Sequence, residues 1–138
     1  MRKKMVQKLL VFSGIVFAAG AIFYFVVMLP AFSIQEEVRA LPIAAIKFSS
    51  VRDGKYQGQF VYNQVSTNVE INVKNHRIED INILGFGNTE QAKTAVAELE
   101  KRILGTQSLD VDVVTGATTS SKAFLKSVEN ALSKGVSN

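Results

Sequence analysis

From Leu9 to Leu29 the chain carries 21 residues without a charge, and only Ser13 and Tyr24 bring appreciable polarity. As a helix rising about 1.5 Å per residue, this run matches the roughly 30 Å hydrocarbon core of a bilayer. A chain of 138 residues leaves room beside it for one modest domain. So small a domain has little capacity to bury an apolar helix of that length on all sides, and the run therefore predicts a membrane span over residues 9–29 rather than a core helix.

The flanking charges orient the span. Arg2, Lys3, Lys4 and Lys8 precede it, whereas Glu36, Glu37 and Arg39 follow, which predicts a cytoplasmic basic arm over residues 1–8 and an extracytoplasmic domain. The same four residues account for the whole formal charge of +4, because the other Lys and Arg balance the 12 Asp and Glu. The basic pI is thus a topology signal, and it gives no reason to expect nucleic-acid binding. Ala19-Gly20-Ala21 offers a signal-peptidase alternative. Cleavage there would leave the apolar stretch from Ile22 to Leu29 as a free terminus, so a retained signal anchor in a bacterial cell membrane is the expectation. The absence of cysteine excludes disulfides, thiolate metal sites, iron–sulfur clusters and thioether-linked haem.

Beyond Pro30, residues 30–50 read as a juxtamembrane connector: Ser33 and Glu36 have capping-box spacing for a short helix that Pro42 halts. A domain is expected over residues 51–138. The stretch from Val51 to Gly58 reads as a turn followed by a strand through about Tyr62, and Val69, Ile71 and Val73 alternate with polar residues as in a half-buried strand. Asn75-His76 is a hairpin turn in which Asn tolerates positive φ, leading into a third strand with Ile78, Ile81 and Ile83. Asn88 precedes a helix from Thr89 to Leu104, with Ala92, Ala95, Val96, Leu99 and Ile103 on one face and Gly105 as its stop. Leu109 to Val114 returns to a strand pattern. A last helix from Lys122 to Lys134 turns Phe124, Val128, Ala131 and Leu132 inward, with Gly135 as its stop. Strands followed by helix, strand and helix predict an α+β fold, a mainly antiparallel sheet packed by two helices.

The segment from Thr115 to Ser121 has the make-up of a phosphate-binding helix entrance. Gly116 relaxes the backbone, Ala117 adds little bulk, and several hydroxyls sit beside unpaired amide groups. An ordinary helix capped by Thr119, Ser120 or Ser121 fits the same residues. His76 reads as a solvated turn residue, and Asp110 and Asp112 share one face of the presumed strand.

Asp112-Val113-Val114-Thr115-Gly116-Ala117-Thr118 resembles the Asp-x-x-Ser/Thr-Gly-Ala-Thr/Ser motif of the FMN-binding domain family. Asp53-Gly54-Lys55-Tyr56-Gln57-Gly58 is similar to that family's Asp-Gly-x-Tyr-x-Gly opening, and Ile71 to Ile78 to its next hairpin. The resemblance runs from about Val51 to Leu132. It implies FMN joined by a phosphoester to Thr118, placed there by a separate magnesium-dependent flavin transferase that uses FAD, with Asp112, Thr115, Gly116 and Ala117 as recognition frame and Thr119 and Ser120 completing the cofactor-binding set. Similar domains occur in Rnf-type and sodium-translocating NADH:quinone oxidoreductase complexes and in free-standing extracytoplasmic electron carriers. The chain departs from many members at Gly85 to Gln91, where they have a Thr-Pro-Gly-like loop. Tyr56, Tyr62 and Phe86 could stack on the flavin or serve the core.

The resulting expectation is a single-span flavoprotein that passes electrons between a membrane donor and an extracytoplasmic acceptor, a carrier more than an enzyme, without a metal site of its own. A noncovalent FMN module and an anchored, non-redox interaction domain are the alternatives.

Overall fold

A computed structural model describes residues 2–63, 65–86 and 89–136, and the chain divides into two compact units, one ending at Gln35 and one beginning at Glu36. The first is helical throughout its described residues. Helix α1 (Arg2–Phe23) is followed by a π-helical turn (Tyr24–Met28), after which α2 (Leu29–Ala40) begins. Within this unit Lys3–Met28 is long and apolar enough to cross a membrane, with Leu9 72% and Phe17 82% exposed, so it is a candidate span or signal anchor. Ser33 lies inside α2 and does not start a new helix. The helix does stop ahead of Pro42, where Leu41 N–H closes its last turn on Val38 O at 3.2 Å.

In the second unit, β1 (Gly54–Tyr62), β2 (Val65–Lys74) and β3 (Arg77–Gly85) form an antiparallel meander in the order β1-β2-β3. Alternation decides which face packs: Thr67, Val69, Ile71 and Val73 of β2 are buried and the residues between them are not. On β3 the buried Ile78 and Ile81 are three apart because a bulge at Asn72/Val73 lets Ile78 oppose Val73 and Ile81 oppose Ile71. Asn75 and His76 both take positive φ, 52° and 57°, as a two-residue type I′ hairpin turn requires. Asp53 holds this turn from outside, its carboxylate accepting Asn75 N–H at 2.9 Å and His76 N–H at 3.0 Å. Those amide bonds, His76 first, hold the Asp53 carboxyl below the ordinary 3.8. His76, expected to be merely solvated, also places Nδ1 2.9 Å from Val51 O.

Helix α3 (Glu90–Thr106) packs against β3 and α4 (Thr118–Ser133), while α4 lies on β1 and β2. Ala92, Ala95, Val96, Leu99 and Ile103 are the buried residues of α3, as its periodicity predicts, with Phe124, Leu125, Val128, Ala131 and Leu132 facing them from α4. Gly58 marks the closest approach of sheet and helix: a Cβ there would lie 2.0 Å from Ser127 O. The α+β expectation holds.

Four local expectations do not. Leu109 to Val114 forms no strand, and at the start of the β3 edge the Gln107 side chain takes the place a neighbouring strand would fill: its Oε1 accepts Ile78 N–H at 2.9 Å and its Nε2 donates to Ile78 O at 3.0 Å. Gly105 does not end α3. The helix runs through Thr106 and ends at Gln107, which takes the left-handed conformation (φ 53°) usually left to glycine. The helix expected from Thr89 begins at Glu90, with Thr89 as its N-cap, the Thr89 Oγ1 accepting Ala92 N–H at 3.2 Å; Asn88, expected to precede it, lies outside the described residues. Finally, α4 starts at Thr118, a full turn before Lys122.

Candidate functional site

The loop from Asp110 to Ala117 leads from α3 to α4, and every predicted site residue lies on it or on the first turn of α4. Two side chains fix its course. Arg102 of α3 donates through Nη1 to Asp112 O at 2.6 Å while its Nε bonds Glu98 at 3.2 Å. Ser121, fully buried, accepts Val114 N–H on Oγ at 3.1 Å, so it ties the loop to the helix that follows instead of capping that helix. Between those ties the chain reverses: Ala117 N–H bonds Val114 O at 3.0 Å with Gly116 at φ 82°, the positive φ that a type II turn needs at its third position. A Cβ on Gly116 would meet nothing within 4 Å, so the turn stands open to solvent.

Thr118 is the first residue of α4 and Ala117 its N-cap, which supplies no side-chain acceptor. Ser121 N–H makes the first helical bond, to Ala117 O at 2.9 Å. The N–H groups of Thr118, Thr119 and Ser120, and the Thr118 hydroxyl, therefore have no partner among the described residues. The first turn of α4 contains no acidic residue either. Three free donors at the positive end of a 16-residue helix form a ready seat for a phosphate. Thr119 and Ser120, expected as possible caps, cap nothing; the Thr119 hydroxyl instead accepts from Arg39 Nε at 3.3 Å.

The loop separates two open clefts. One, of about 680 Å³, has Arg102 and Thr106 on its α3 side and Asp110, Asp112 and Thr115 on its loop side. The other, of about 370 Å³, lies between Glu90, Gln91 and Thr94 and the turn Thr115–Ala117. Asp112 is exposed, and its carboxylate has no partner among the described residues. Tyr56 and Phe86 are half-buried against the core, Tyr56 donating its hydroxyl to Arg52 O at 2.8 Å. No cluster of three metal-ligating residues occurs among the described residues.

Sequence reasoning did not identify Arg102 or Arg39 as parts of this site, and it read Ser121 as a possible cap where the structure makes it the tie to Val114. Arg102 reads as an ordinary surface partner of Glu98 four residues back, and Arg39 belongs to a connector distant in sequence. Nothing in local spacing marks either one.

Comparison with known proteins returns a match to the family model described as FMN-binding domain over residues 62–133, more than half of the chain. A Treponema pallidum (strain Nichols) protein described as uncharacterized is 31% identical over 85 residues, which span 61% of this chain and 24% of that protein. The match thus covers about a quarter of that relative's length.

Proposed function

Because the chain belongs to the FMN-binding domain family, we propose that it is a membrane-anchored, extracytoplasmic electron carrier whose FMN is attached by a phosphoester to Thr118. The observation that carries this reading is the condition of Thr118 itself. Among the described residues its hydroxyl has no partner, and it is the first residue of a helix whose initial amides are likewise free among them and whose first turn has no carboxylate. Those amides can hold a phosphate, and the open face at Gly116 leaves room for it.

A threonine hydroxyl is a weak nucleophile, so a magnesium-dependent flavin transferase activates it. The bond from Thr118 Oγ1 to the FMN phosphorus of FAD forms as the pyrophosphate bond breaks, AMP departs, and the hydroxyl proton is released. When bound, FMN supplies one- and two-electron redox chemistry. The chain's part is to hold the attachment point still: Arg102 fixes the loop at Asp112, and Ser121 fixes it at Val114. Attachment also keeps the cofactor in place outside the cell, where a dissociated flavin is diluted away. The span within Lys3–Met28 keeps the domain beside membrane donors, with the N-terminus cytoplasmic.

Coexpression of the full chain with a flavin transferase tests the reading by intact mass. The protein should gain FMN less one water, and peptide mapping should place it on Thr118. Thr118→Ala should abolish the gain and the flavin fluorescence that survives a denaturing gel, and Thr118→Ser should retain part of both. An unmodified wild-type chain, or modification at Thr115 or Thr119, would overturn the assignment.

A further inference from the structure

The segment linking the candidate span to the domain lies along α4. Leu41 O accepts Lys122 Nζ at 3.1 Å, Pro42 O accepts Lys126 Nζ at 3.3 Å, and Ala44 N–H donates to Glu129 Oε2 at 3.0 Å. Lys122, Lys126 and Glu129 step by four and three residues, so they occupy one face of the helix, and Lys126 and Glu129 also pair with each other at 2.7 Å. Both chain segments advance in the same direction along this contact. One step earlier in each, Arg39 Nε meets Thr119 Oγ1 at 3.3 Å. Val38, wholly buried, anchors the backbone beside it.

This register delivers a guanidinium to the first turn of α4, next to the residue that would carry the flavin. Its Nη1 bonds the exposed Glu36 carboxylate at 2.8 Å, and Nη2 has no partner among the described residues. A phosphate esterified to Thr118 bears one negative charge where α4 offers free amides but no cationic side chain directed at it, because Lys122 is committed to Leu41 O. Guanidinium, with planar paired donors and permanent charge, suits a phosphate better than any other side chain.

We propose that Arg39 binds the phosphate of the flavin attached at Thr118, so that the connector from the membrane is part of the cofactor site. The inference rests on the flavinylation reading above. Arg39 exchanges its exposed bond to Glu36 for the phosphodiester and retains its hold on Thr119, and attachment thereby ties the connector to the head of α4.

The test uses the full chain in detergent with FAD, magnesium and a flavin transferase, comparing wild type, Arg39→Lys and Arg39→Gln by the initial rate of FMN mass gain. The phosphorus NMR resonance of each modified protein is also recorded. Arg39→Gln should slow attachment about tenfold, the loss of one charge-assisted contact, and should shift the phosphorus resonance; Arg39→Lys should fall between. Melting of the unmodified Arg39→Gln protein should change by no more than about 2 °C, because the pair with Glu36 is exposed. If wild type is modified and Arg39→Gln matches it in rate and resonance, the inference falls while the Thr118 assignment stands. A slower rate with an unmoved resonance assigns Arg39 to packing alone and also overturns it. Failure of wild type to gain FMN overturns both.

Discussion

Gly58→Ala is the smallest change that should break this domain. A Cβ at Gly58 would lie 2.0 Å from Ser127 O, 2.5 Å from Ala131 N and 2.7 Å from Ala131 Cβ. Ordinary contact begins near 3.4 Å, so β1 and α4 would have to part by about 1.4 Å. Two of the three atoms are helix backbone, which no rotamer change can move. Overpacking costs about 1–3 kcal/mol where side chains can adjust, and a clash against backbone belongs at about 3 kcal/mol or above. For a domain of this size each kcal/mol lowers the melting temperature by roughly 4–8 °C, so a fall on the order of 15 °C is expected. Gly105→Ala is the matched control. Gly105 lies inside α3, where an added Cβ meets nothing within 4 Å, and the same methyl should stabilise by about 0.5–1 kcal/mol. Thermal and urea unfolding of the two variants should therefore move in opposite directions. Agreement in sign, or a Gly58→Ala shift under about 2 °C, would refute the close approach of β1 to α4.

Gln107→Ala removes the amide that bonds both Ile78 N–H and Ile78 O and should destabilise by about 1–3 kcal/mol in urea unfolding, more than Gln107→Glu, which keeps the acceptor for Ile78 N–H. Asp53 is held ionised by the His76 and Asn75 amides, so its stabilising contribution is complete above the ordinary 3.8 and is lost as pH falls through its lower folded value. Asp53→Asn should thus lower the urea midpoint at about pH 6 and flatten its decline toward about pH 3, and an unchanged slope would refute that role. A chain beginning at Ser49 loses Val38, Ile43, Ile46 and Phe48 from the packed unit and should be less stable than one beginning at Glu36 by at least about 2 kcal/mol. Equal urea midpoints would show that the connector contributes nothing.

What could be read from sequence was whatever a local rule determines. The uncharged run, the alternation of β2, the apolar faces of α3 and α4, and the Asn75-His76 turn each follow from a period or a φ preference confined to a few residues. The two failures around Gln107 share a cause, which is that a distant partner overrode the local signal. Leu109 to Val114 has a strand's composition, but Gln107 already occupies the β3 edge that a fourth strand would join. Gly105 looked like a stop, yet Gln107 accepts the left-handed conformation because its side chain bonds Leu104 O and both backbone groups of Ile78. Nor does any local pattern mark Thr119, Lys122, Lys126 and Glu129 as the residues that hold a connector about 80 residues away in sequence.

The start of α4 breaks two rules of helix construction at adjacent positions, and the breaks argue for its use. Ala117 is a poor N-cap, and its side chain leaves the first three amides unanswered where Ser or Asp would satisfy one for about 1 kcal/mol. Thr118 is a weaker helix former than alanine by about half a kcal/mol, and its hydroxyl bonds nothing among the described residues. Neither choice serves stability. Both make sense if a phosphate completes the helix: the alanine cap keeps the donors free, and the threonine supplies the oxygen to which the phosphate is joined. Violations of local rules concentrate at functional sites, and here they sit at the head of the helix whose buried Phe124, Leu125 and Val128 form the middle of the core. If Thr118 carries the flavin as proposed, its attachment point could not drift without unpacking α4 from β1 and β2, which is the rigidity a tethered redox group would need to meet a partner in one orientation.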